Sequence, residues 1–184
     1  PTANLVIAAH APLDSENEFF IAALSGRGKD RGGDFERAMS WLMSFCGFSV
    51  LYYGKLNPFD KSAPDILAVS KRDEMILAIE CTVSAPNTEG KLVKLREKCR
   101  EIQVGVSRRV KVVPVLATAM ETSSIPDSDR NLALQDKILL LGQDNLMQLH
   151  GMASAGQPLA KIIQYIRRLR GSDRGNLFGE PEEF

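Results

Sequence analysis

Asp65 and Glu80 stand fifteen positions apart, one at the head of the apolar run 64–69 (PDILAV) and one inside the run 75–83 (MILAIECTV). Residues 70–74 between the runs (SKRDE) have the composition of a turn. If the runs form an antiparallel hairpin with a four-residue turn at 71–74, Ser70 pairs with Met75 and Asp65 falls opposite Glu80. Directly opposed residues share a sheet face, with Cβ atoms about 4.5–5.5 Å apart. Thr82, two residues past Glu80, shares that face, whereas Leu77, Ile79, Cys81 and Val83 point the other way. Two carboxylates this close repel, and one is pushed toward its protonated form unless a cation sits between them. A hard divalent cation solves this with oxygen ligands and keeps positions open for water and phosphate. Magnesium so held activates water and neutralises charge developing on a phosphodiester. The spacing therefore points to metal-assisted phosphodiester hydrolysis. Two structural readings remain beside it: Asp65 caps a turn after Pro64, and Glu80 neutralises a lysine at a strand end.

The elements that must hold this pair follow from periodicity. Asp34 is placed to cap a helix over 34–46, with Phe35, Ala38, Met39, Leu42 and Phe45 on one face and Glu36 in its first turn. Gly47 stops it, and 48–53 (FSVLYY) reads as a strand, which also accounts for Tyr52 and Tyr53. After the hairpin, a helix is expected over 89–104, its apolar positions Leu92, Leu95, Cys99 and Ile102 stepping by three and four. A strand follows at 111–118, where Pro114 implies a bulge or an edge position. Then come a turn-rich loop at 121–131, a strand at 137–141, a helix over 144–150 and an amphipathic helix over 159–169. A short strand at 4–9 is also read, and 25–33 (SGRGKDRGG) is a glycine-rich basic loop without the spacing of a phosphate-binding Walker loop. The expected fold is α/β, a mixed central sheet flanked by helices on both faces. Residues 1–32 read as an N-terminal extension, 33–170 as the α/β domain and 171–184 as a flexible tail.

Composition sets limits on function. The chain has 184 residues, 44% hydrophobic and 25% charged, enough for one domain with a real core and far from a disordered sequence. No apolar run is long enough to span a membrane, and residues 1–10 lack the features of a signal peptide. The sequence begins without Met, as a processed chain or a domain of a longer protein would. Cys46, Cys81 and Cys99 form no C-x-x-C pair, which argues against a disulfide framework or zinc knuckle and for a reducing, cytoplasmic location. His10 and His150 are not spaced as a metal pair. Lys plus Arg equals Asp plus Glu at 23 each, so net basicity does not announce a nucleic acid partner. Between positions 89 and 111, however, eight bases face three acids. A neutral protein can carry such a basic stripe.

Pro64-Asp65, the hairpin and Glu80-Cys81-Thr82 together resemble the PD-(D/E)XK nuclease superfamily, which has the restriction-endonuclease-like fold. Its signature is a PD dipeptide, a short hairpin and acid-x-Lys, preceded by a helix bearing a glutamate. Glu36 matches that third acid, and the resemblance covers roughly residues 33–150. It implies a restriction-endonuclease-like core and a DNA endonuclease dependent on Mg²⁺ (or Mn²⁺). Asp65 and Glu80 would bind the metal, and Glu36 would assist through water or a second metal. Implied partners are DNA and either a second copy of the chain or other domains of a longer one. Thr82 departs from the pattern, because it occupies the lysine position and lacks that side chain's charge and reach. Either the lysine has migrated to the following helix, where Lys91, Lys94 and Lys98 form a stripe with Lys91 first and Lys94 next as candidates, or the site is degenerate and the domain binds without cutting. On either reading Lys94, Lys98, Arg108 and Arg109 are expected phosphate contacts.

Overall fold

The computed structural model describes residue 14, residues 16–54 and residues 63–172. The expected strand at 4–9 and nearly all of the tail lie outside them. Helix α1 (Glu18–Leu24) and helix α2 (Arg31–Phe45) lead into strand β1 (Ser49–Tyr52). Strands β2 (Ile66–Ser70) and β3 (Met75–Thr82) form the hairpin, and helix α3 (Lys91–Gly105) crosses to β4 (Lys111–Thr118). Helix α4 (Asp127–Gln135) crosses to β5 (Leu139–Leu141), followed by α5 (Gln143–Ser154) and α6 (Leu159–Ser172).

The five strands lie in the order β1-β2-β3-β4-β5. The first two pairings are antiparallel and the last two parallel. This is the expected α/β architecture, with helices on both faces. Alternation along the strands sorts the side chains. Ile66, Ala68, Leu77, Ile79 and Cys81 enter the larger core with Phe20, Leu24, Phe35, Leu42, Leu146 and Ile162. Ala78 and Leu116 turn to the other face, against Leu92, Leu95 and Cys99 of α3 and Ala133 of α4. Each buried Leu or Phe contributes on the order of 1.5–3 kcal/mol by leaving water.

Several elements differ from the sequence reading. Helix α2 starts at Arg31 rather than at residue 34, so the last glycines of the expected loop are helical. The Asp34 carboxylate is not a cap ahead of the helix. It lies in the first turn, reaches back to accept the Asp30 amide (2.9 Å) and pairs with Arg37. Helix α1 lies in the stretch read as an extension, yet its Phe20 and Leu24 are buried in the main core. Helix α4 replaces half of the expected loop at 121–131. Pro126 sits at its N-cap, and Asp127 and Asp129 favour the positive end of its dipole. Pro114 lies in a strand paired on one side with β3. Pairing with β5 begins only at Val115, so the missing amide falls at a local edge.

Candidate active site

The hairpin register sets the site. Ser70 pairs with Met75 and Ile66 with Ile79, so Asp65, the residue just before β2, comes opposite Glu80. Corner residues at the end of β1 fix the Asp65 backbone. The amides of Tyr53 and Gly54 both donate to its carbonyl, at 2.8 and 3.3 Å. Its side chain turns across the hairpin, where Oδ2 accepts the Cys81 amide at 2.8 Å. Glu80 points to the α3 face and is only 6% exposed.

Helix α3 brings two ammonium groups to this strand end. Its first residue lies beside the end of β3, because a short connection returns the chain over the sheet. Leu92, Leu95 and Cys99 anchor the apolar face. Lys91 and Lys98, about two turns apart, project from one flank. Lys98 Nζ donates to Glu80 Oε1 at 2.5 Å and to the Ala63 carbonyl at 2.9 Å. Lys91 Nζ donates to the Cys81 carbonyl at 2.7 Å. Burial raises the Glu80 carboxyl above its ordinary pKa, the Asp65 charge raises it further, and Lys98 and then Lys91 oppose both. The Cys81 thiol is raised by burial and by the charges of Asp65, Glu36 and Glu80, with Lys91 opposing. The three acids and Lys91 thus surround one residue of β3.

Glu36 stands at the rim. Its Oε2 accepts the Tyr52 hydroxyl at 3.3 Å. Burial, followed by the charge of Glu36, pushes the Tyr52 phenol up to about 12. The Tyr52 ring lies back over Gly54, whose φ is +28°, and a Cβ there would collide with the ring. Thr82 faces the site, but its hydroxyl is tied into the following loop. It bonds Ser84 Oγ at 3.1 Å and accepts the Ser84 amide at 3.2 Å.

The structure therefore gathers Asp65, Glu80, Lys91 and Lys98, with Glu36 beside them. Lys94 does not join them; it is exposed and makes no bond to the cleft among the described residues. Arg108 and Arg109 are also apart. They precede Lys111, which pairs with Met75, five residues down β3 from Glu80. At about 3.3 Å per residue they lie roughly 16 Å away, at the other end of the sheet. Lys98, expected as a member of the lysine stripe on this helix and as a phosphate contact, instead bonds Glu80 directly, and its i+7 spacing from Lys91 puts it on the same flank. Tyr52 is expected only as a strand residue, and nothing local signals its reach to Glu36.

The donors suit magnesium chemically. Two carboxylates and the Cys81 carbonyl are hard oxygens, and Mg²⁺ characteristically takes one or two carboxylates and completes its shell with water and phosphate. Among the described residues no group of three or more His, Cys, Asp or Glu has metal-holding geometry, which leaves Glu36 outside a ligand cluster. The carbonyl and one Glu80 oxygen are bonded to ammonium groups, so a bound cation would compete with both lysines.

No family model matches the chain. No curated protein matches it either. Among solved structures it is similar to the small subunit of the heterodimeric restriction endonuclease R.BspD6I, with a TM-score of 0.54 at 10% sequence identity. The match covers 83% of this chain and 97% of that subunit, and the likeness is one of fold: a restriction-endonuclease-like core.

Proposed function

We propose that this chain is a nuclease-fold subunit that hydrolyses DNA phosphodiester bonds with Mg²⁺ or Mn²⁺, its missing strand lysine supplied by helix α3. The observation that carries this reading is the placement of two ammonium groups on Glu80 and the Cys81 carbonyl, beside Asp65. When bound, the divalent cation would be held by Asp65, Glu80 and the Cys81 carbonyl, and would supply charge neutralisation and acidify a water. Lys98 opposes the rise in the Glu80 pKa that burial and the Asp65 charge cause, and so favours its carboxylate form. Lys91 uses one of its three protons on Cys81 and has two left to orient a water or a phosphate oxygen. Burial of the site strengthens each of these interactions. Glu36, held by Tyr52, can accept a proton or align water from the α2 side. The heterodimeric context of the similar fold supports a second subunit as partner.

A second reading has its own observation: Thr82 is buried and committed to Ser84, so the strand position itself offers no charge. A site of that kind would bind nucleic acid or a partner subunit without cutting. Incubation of supercoiled plasmid with Mg²⁺ or Mn²⁺, alongside anisotropy binding at two salt concentrations, separates the readings. Cleavage that is abolished by a chelator and by Asp65→Ala supports the first. Salt-dependent binding without cleavage under either metal supports the second, and absence of both rejects them together.

A further inference from the structure

The opposite flank of α3 carries a second arrangement, outside the cleft. A cavity of about 380 Å³ opens between α3, the start of β4 and the turn after α4. That volume lies within the range of small-ligand pockets, about 300–1,000 Å³. Arg96, Arg100, Lys137 and Arg170 line it against a single carboxylate, Asp136, in a chain of zero net charge. On a helix of 3.6 residues per turn, Arg96 and Arg100 face away from Lys91 and Lys98. Asp136 does not neutralise the groove as a whole. Its side chain is 10% exposed and engages Arg96 at 2.7 Å, and one buried atom of each, Asp136 Oδ2 and Arg96 Nε, has no hydrogen-bond partner.

Two further features show a built wall. The Gln103 amide is pinned at both ends, Nε2 donating to the Val110 carbonyl at 3.0 Å and Oε1 accepting the Val112 amide at 3.1 Å. Lys137 closes helix α4 in a left-handed conformation at φ +57°. Its amide bonds the Leu134 carbonyl at 3.1 Å, and the Ile138 amide bonds Ala133 at 2.8 Å, the paired pattern that ends helices most easily at glycine. A lysine at this strained position directs an ammonium to the groove. The floor, in contrast, is apolar: Cys99, Val112 and Pro114.

We propose that this groove binds a phosphate-bearing nucleotide, the phosphate held by Arg100 and Lys137 and the flat base lying over Val112 and Pro114. The cationic rim supplies charge-assisted hydrogen bonds to phosphate, and the apolar floor suits a ring without reading its edge. The site is separate from the Asp65–Glu80 cleft and does not depend on cleavage there. The nucleotide is either free or a unit of a nucleic acid strand.

The test is NMR titration of the amides with 5′-phosphorylated thymidine dinucleotide. Saturable shifts are expected at Gln103, Val112 and Lys137. Arg100→Gln and Lys137→Gly should each weaken binding about tenfold or more, the loss of one charged hydrogen bond. Lys137→Gly carries an internal control, because glycine relieves the left-handed strain: its melting temperature should hold or rise while affinity falls. Shifts absent from the groove, shifts confined to Cys81 and Ser84, or parent-like affinity in both variants would overturn the proposal. Anisotropy with a labelled single-stranded oligonucleotide then identifies the source. A salt slope reduced by about one in either variant assigns the groove to a strand of nucleic acid. An unchanged slope with lost dinucleotide binding assigns it to a free nucleotide.

Discussion

An ammonium carries three protons, and the two lysines at the cleft use them differently. Lys98 gives one to Glu80 and one to the Ala63 carbonyl, which makes it a clamp between the site and the loop before β2. Lys91 gives one to Cys81 and retains two for a ligand. Lys91→Ala should therefore slow plasmid cleavage by about 10²-fold or more, whereas Lys94→Ala, on the exposed side of α3, should leave the single-turnover rate unchanged. The carboxylate pair also sets a stability cost with a definite sign. Glu80 has its folded pKa raised, so its contribution to stability is full below the unfolded value, about 4.3, and is lost as pH rises through the folded one. The Asp65 charge is part of that loss. Asp65→Asn keeps an oxygen for the Cys81 amide and removes the repulsion. Its melting temperature should exceed the parent's by about 2–4 °C at neutral pH in the absence of divalent metal, with the gain shrinking toward pH 4. A gain independent of pH would mean that the two acids are not coupled.

At the scale of elements, local rules determine what is legible in the sequence. The hairpin register follows from turn length and alternation, and those two alone put Asp65 opposite Glu80. The face of α3 follows from the three-and-four spacing of Leu92, Leu95 and Cys99. Three features escape for physical reasons. Gly32 and Gly33 argue for a loop by propensity, yet the Asp34 carboxylate satisfies the Asp30 amide, and burial of Gly33 and Phe35 outweighs the backbone entropy. Helix α4 hides behind Pro126 in a run of turn residues. The seven residues of α1 carry too little periodicity to declare themselves, and only packing against α2 and α5 makes them a helix. That last point is measurable. Leu24 is fully buried, so Leu24→Ala should lower the unfolding free energy by about 2–5 kcal/mol in urea titration. A loose extension would give a change near zero.

At the scale of the molecule, the acids lie at strand ends where side chains from the α2 face and the α3 face come together. Glu36 comes from one face and Lys91 and Lys98 from the other, so the cleft depends on both layers holding their positions on the sheet. Each chain contributes one such cluster of Asp65 and Glu80. Under the proposed function, one cluster serves one in-line attack on one phosphodiester, and a duplex presents two strands of opposite polarity. A single chain acting alone should therefore nick. Supercoiled plasmid treated with Mg²⁺ and limiting protein should pass first to the open-circular form, at a rate first order in protein, and linear DNA should follow with a lag as a second, independent event accumulates. If two copies joined into a symmetric dimer as the cutting species, linear DNA would appear without a nicked stage, and at low concentration the rate would rise with the square of the protein. A chain that needs a different subunit for the second strand would keep nicking at every concentration, and further copies of the same chain would not convert the open circles to linear form any faster than that second independent event.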